Sequence, residues 1–159
     1  MTPENPCDVR LPEHLGGLSL VTDRGGIPVE RVHALLTQQY WCKGIGLEVV
    51  RRSIEGSLCW AVLDPARGQE VAGFARVISD QATFAYLCDV VVAPEYRGKG
   101  LGTWMVRSIL GDARLQGLRR FCLLTRDAHG VYAKFGFTPM RDPSRYMERT
   151  NPNVYASPG

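Results

Sequence analysis

Three groups of residues in this sequence of 159 have types and spacings that could do chemistry. The first is Arg97-Gly98-Lys99-Gly100-Leu101-Gly102-Thr103. Glycines let backbone N–H groups approach a phosphate closely, and a helix beginning there offers unpaired donors and a dipole that favours negative charge. Arg97 and Lys99 add formal positive charge, so the stretch reads as an anion-binding turn; the alternative is a tight turn with solvated basic residues. Two nucleotide motifs fail on spacing: G-x-G-x-x-G needs a glycine where Thr103 stands, and G-x-x-x-x-G-K-[ST] has no match. The second group is Tyr132 with His129 nearby. A phenol of reference pKa about 10 can give a proton, and an imidazole near 6.5 can take one. The bland alternatives are a core tyrosine with a satisfied hydroxyl and a surface or capping histidine. The third is Asp89, an acid in an apolar run, which serves either a base or substrate role or as an end-of-sheet carboxylate bonded to a neighbouring turn.

The elements that must position these residues follow from periodicity. Residues 1–16 lack it and read as an N-terminal tail, leaving 17–159 as one domain. Leu18–Thr22 alternates as a strand, Pro28 opens a helix running to about Gln38, and Leu47, Val50 and Ile54 recur at helical spacing. Ser57–Leu63 and Val71–Ile78 form a hairpin around a Pro/Gly turn, and Thr83–Val92 is an apolar strand expected to be buried on both faces. Pro94 breaks it, and an amphipathic helix runs from Gly100 to about Gln116. A strand at Phe121–Thr125, a short helix at Gly130–Phe135 with Asp127 as a candidate cap, and a last strand at Arg145–Arg149 complete the order βααβββαβαβ. This is an α/β arrangement, a mixed sheet of α+β type with helices against it.

Arg97-x-x-Gly100-x-Gly102 after a V-x-P turn, followed by Tyr132-x-x-x-Gly136-Phe137, resembles the acyl-CoA signature of the GNAT superfamily of N-acetyltransferases. The resemblance covers about Leu18 to Arg149. It implies a central, splayed mixed sheet flanked by helices and acetyl-CoA as co-substrate, with no metal. By the same resemblance Arg97 to Thr103, including Gly98, Lys99 and Leu101, would hold the pyrophosphate, and Val90, Val91 and Val92 the pantetheine arm. Tyr132 matches the family's general acid, and Thr125 stands where many relatives have an asparagine. Many members carry a glutamate eleven positions before the motif, where this chain has Tyr86. That departure leaves the base open between Asp89 and His129. The acceptor would be chosen by the first two helices and their connection, around Tyr40, Trp41 and Lys43, with Tyr86 and the C-terminal part; the alternative for these aromatics is ordinary core packing. The implied reaction is direct acetyl transfer to a primary amine of a small molecule or peptide; the competing reading is a non-catalytic acyl-CoA-binding or regulatory domain.

Composition narrows the field. A 45% hydrophobic, 22% charged chain is an ordinary globular one. A net charge of +3 would help an anionic ligand approach but decides nothing alone, and a nucleic-acid module is disfavoured because no helix-turn-helix pattern, aromatic RNP-like strand or finger spacing is present. Five scattered cysteines with no C-x-x-C give neither a disulfide framework nor a zinc site. No stretch reaches the about 18 apolar residues of a membrane span, so a cytoplasmic protein with no membrane or nucleic-acid partner is expected. A homodimer is left open.

Overall fold

The computed structural model describes residues 11–156. Residues 1–10, most of the expected tail, lie outside that range. Its last part does not behave as a tail: Leu15 is buried in the core, and the His14 imidazole meets the Lys99 carbonyl at 2.7 Å. Leu15, at the end of a Pro12-capped turn, and Leu11, half-buried against the same core, draw that stretch onto the domain.

The elements are β1 (Ser19–Val21), α1 (Val29–Leu36), α2 (Leu47–Glu55), β2 (Leu58–Asp64), β3 (Glu70–Ser79), β4 (Phe84–Val92), α3 (Leu101–Leu110), β5 (Arg120–Leu123) and α4 (His129–Ala133). The five strands form one sheet in the order β1-β2-β3-β4-β5, antiparallel except for the parallel β4–β5 pair. The doubly buried strand is β2, whose residues Leu58–Leu63 are all shielded. In β4, by contrast, Ala85, Leu87 and Val91 are buried while the intervening residues stay half-open or exposed. The expectation for Thr83–Val92 is therefore corrected. Its apolar run reflects alternation around an open groove, not burial on both faces.

Two features of β4 shape the site. It pairs with β5 only from Phe84 to Leu87, against Arg120–Leu123, so Cys88–Val92 runs on without a strand on that side. Its pairing with β3 also slips, because Ala75 alone spans the interval between Cys88 and Val91, and Asp89 takes φ +53° there. An extra residue of this kind is a β-bulge, which bends the strand and re-aims its side chains.

The helix α3 buries Leu101, Trp104, Met105 and Ile109, the i, i+3, i+4, i+8 face of its sequence. It lies so close to the sheet that a Cβ on Gly73 would stand 2.7 Å from Met105 Sδ. It ends at Leu110 and not near Gln116, since Gly111 caps it and the Asp112 carboxylate accepts from Arg114 N to start a separate turn. The expected strand at Arg145–Arg149 is absent. Pro143 opens a short turn at Pro143–Arg145, and the residues after it are exposed, so alternation there has no apolar face to bury.

Near the far end of the chain, Tyr155 packs on the core, and its carbonyl lies 2.5 Å from where a Cβ on Gly44 would be. Gly44, at φ +84°, is the residue that lets the α1–α2 connection pass beneath it.

Candidate functional site

A groove of about 390 Å³ opens where β4 leaves β5. Val90 and Val92 form one wall, the turn from Tyr96 through Gly98 to Gly102 and Thr103 forms its end, and Ala128, Val131 and Tyr132 of the α4 region close the other side. Gly98 and Gly100 both take positive φ (+73° and +82°), and a Cβ on either would meet nothing within 4 Å. The glycines are thus required by backbone conformation, and the space beside them is open. Gly100 is the N-cap of α3 with no side-chain cap. The first-turn N–H groups of a helix have no intrahelical partner, so they face this opening as donors. A phosphate-bearing group fits the residues present.

The side chains around this turn are individually held. Arg97 donates from Nε to the Val92 carbonyl at 3.0 Å, which keeps its guanidinium at the groove. Lys99 instead turns to the Glu95 carbonyl at 3.1 Å, with its ammonium 5.8 Å from the Tyr96 ring centroid, and does not line the groove. Tyr96 donates its hydroxyl to Asp64 Oδ2 at 2.6 Å; burial and then that carboxylate push the phenol up to about 12. Val91 points into the core. Tyr132 is half-buried with its ring edge-on to Phe137, and burial raises its hydroxyl above the ordinary phenol range, so it stays protonated at neutral pH.

Other expected site residues lie outside the groove. The Thr125 hydroxyl accepts from Ala128 N at 3.0 Å in the turn that enters α4, whose N-cap has no side-chain cap; Asp127, the expected cap, is exposed and pairs with Arg126. His129 begins α4 at the surface. Across the splay, Tyr40 and Trp41 meet edge to face, and Arg126 stacks over Tyr40 at 4.0 Å. Asp89 is paired with Arg76. Tyr86 is half-buried opposite Ile78 and Cys122, and its hydroxyl is raised first by burial. Among the described residues no cluster of His, Cys, Asp or Glu could hold a metal, and no helix is long and apolar enough to cross a membrane.

The sequence pattern of the acetyltransferase (GNAT) family matches residues 29–137. The chain belongs to the GNAT acetyltransferase family. It is similar to an inferred acetyltransferase of Gibberella zeae, 30% identical over 75% of this chain and 77% of that one. It is also similar to a solved GNAT-family protein of Xanthomonas campestris pv. campestris, with 43% identity, a TM-score of 0.82 and coverage of 88% and 97% of the two chains. A Clostridium acetobutylicum acetyltransferase solved with acetyl-CoA shares the fold, with 16% identity, a TM-score of 0.61 and coverage of 84% and 96%. The enzyme is therefore an acetyltransferase on a mixed five-stranded GNAT sheet.

Sequence reasoning overlooked several residues of this GNAT groove and of the contacts beside it. Val106 lies one helical turn after Gly102, so helical spacing from that residue would have found it, whereas Val131, adjacent to Tyr132, is not marked by helical spacing. Arg76 carries the same signal that singled out Asp89, a lone charge in an apolar strand run. Arg126 has no comparable mark in the sequence, because its stack on Tyr40 joins residues far apart in the chain.

Proposed function

We propose that this GNAT enzyme transfers the acetyl group of acetyl-CoA to a primary amine of a small molecule or peptide by direct attack. The observation that carries the reading is the convergence of Val90 and Val92, the glycine turn at α3 and Tyr132 on one groove. The neighbour solved with acetyl-CoA lends the donor. Acetyl-CoA supplies the acetyl group already activated as a thioester.

Within this reading the N–H groups at the start of α3, with Arg97 beside them, bind the pyrophosphate. The unpaired edge of β4 from Cys88 to Val92 aligns the pantetheine arm, and a backbone N–H there donates to the thioester oxygen. The new bond joins amine nitrogen to carbonyl carbon, and the bond that breaks is C–S. The acceptor sheds one proton to solvent and attacks as the neutral amine; Tyr132 gives its hydroxyl proton to the departing sulfur, and the second proton leaving the acceptor nitrogen restores the phenol through solvent or a base. The raised phenol suits this, since the donor form persists through the working pH range. Lys99, Thr125 and His129 are assigned supporting places around the site: Lys99 as long-range positive charge, Thr125 as the hydrogen-bond acceptor that holds the turn entering α4, and His129 as a candidate proton acceptor at its surface end.

The test is thiol release from acetyl-CoA with a panel of primary amines, using wild type and Tyr132→Phe. The variant should keep its acetyl-CoA KM and lose about 10²-fold in kcat, the lower end of what a positioned acid contributes because a thiolate is a tolerable leaving group. Unchanged kcat in fully folded Tyr132→Phe would remove the tyrosine from the mechanism. Tight CoA binding without turnover on any amine would favour the non-catalytic acyl-CoA-binding reading.

A further inference from the structure

Outside the groove, a chain of polar contacts begins at the bulge of β4. Asp89 adopts φ +53° with only 9% of its side chain exposed. For a residue other than glycine, this conformation persists where the surroundings hold it. Asp89 Oδ2 accepts from Arg76 Nε at 2.5 Å, while Oδ1 accepts from the Trp41 indole at 3.1 Å and from the Cys42 thiol at 3.7 Å. Arg76 in turn donates from Nη1 to Ser57 Oγ at 3.1 Å, and Ser57 donates to the Ser53 carbonyl at 2.7 Å. One carboxylate thus joins β4, β3, the α1–α2 connection and the entry to β2.

The far side of the splay completes the pattern. Arg126, three residues beyond β5, lies over the ring of Tyr40, and Tyr40 meets Trp41 with ring centroids 5.0 Å apart. The Tyr40-Trp41 pair therefore reaches from Asp89 on β4 to the segment after β5, over the place where the two strands part company. Both carboxylate oxygens are engaged, one of them by a cation. A general base needs an oxygen free to take the proton of the attacking amine.

We infer that Asp89 is a positioning residue and not the base: it fixes Trp41, and with it an aromatic bridge under which the acceptor amine approaches β4. The inference rests on the reading that the acceptor meets the acetyl group beside Val90–Val92.

Two variants test it. Asp89→Asn keeps the shape and removes the charge, whereas Trp41→Phe keeps a ring and removes the N–H donor, leaving the Arg76 pair in place. Trp60 and Trp104 are buried, so acrylamide-quenchable emission of the free protein belongs to Trp41. Asp89→Asn should raise that quenching. With an amine that supports thiol release, either variant should raise the amine KM about tenfold, as expected for one hydrogen bond to a charged group. Both should retain kcat and its low-pH limb, and the double variant should be no worse than the singles. Unchanged quenching in Asp89→Asn, additive effects of the two substitutions, or collapse of kcat with loss of the low-pH limb would each overturn the inference, the last by making Asp89 the base. The quenching measurement needs no turnover, so it judges the hold of Asp89 on Trp41 even if every amine fails and the acetyl-transfer reading falls.

Discussion

Replacing Gly102 and Gly100 separately by alanine distinguishes a turn built for its own conformation from one built to meet a phosphate. At Gly100 the added methyl meets nothing within 4 Å, but φ is +82°, so an L-residue costs roughly 1–2 kcal/mol. In a chain of this size that is a melting shift of about 2–8 °C. Gly102 has no positive φ, and its Cβ would lie 3.4 Å from Val92 Cγ2, an ordinary contact, so Gly102→Ala should melt close to wild type. The same methyl enters the groove in front of the first-turn N–H groups. Displacing a phosphate from one charge-assisted hydrogen bond costs about 1.5–3 kcal/mol, or roughly 10–100-fold in affinity. Calorimetry with CoA should therefore show weak binding in a Gly102→Ala protein of normal stability, and in Gly100→Ala weak binding together with a lowered melting temperature. Wild-type CoA affinity in a folded Gly102→Ala protein would refute the argument that backbone approach at this position matters.

Other expectations concern the scaffold. The Asp80 carboxylate is held well below the usual range because the Thr83 hydroxyl and the backbone N–H groups of Thr83, Ala82 and Phe84 all donate to it. A depressed carboxylate contributes stability above its unfolded pKa of about 3.9 and loses it as pH falls toward its lower folded value. The melting difference between wild type and Asp80→Asn should thus be constant near neutrality and shrink below about pH 4, and a difference that persists in strong acid would contradict this. Gly73→Ala should cost about 1–3 kcal/mol by denaturant unfolding, because its Cβ would stand 2.7 Å from Met105 Sδ and 3.3 Å from the Val91 carbonyl. In a Met105→Ala background, itself destabilised by loss of a buried side chain, the added cost of Gly73→Ala should be smaller, as a double-mutant cycle would show.

The glycine turn and the helix after it were legible because their requirements are local: positive φ, free N–H groups and an apolar stripe are written within a dozen residues. The order of elements through α4 was legible for the same reason. What stayed hidden depends on partners distant in sequence. Nothing near Arg145–Arg149 says that no strand waits beside it, and nothing near Asp89 names Arg76, Trp41 or Cys42 as its partners. The early end of α3 was readable in principle, since Gly111-Asp112 is a stop signal that the apolar spacing through Leu115 overrode.

The close passage of Tyr155 over Gly44 bears on the order in which parts of this domain meet during synthesis. Every residue lining the groove lies between Val90 and Tyr132, so that half can assemble from neighbouring stretches of chain. The connection that carries Tyr40 and Trp41 precedes every groove residue in the chain, yet Tyr155, which passes over its Gly44, follows them all. Until residue 155 has left the ribosome, the loop proposed to receive the amine lacks that cover, and closing so long a loop carries an entropy cost that the groove never meets. A nascent chain would hold a donor cradle before it holds a finished acceptor side.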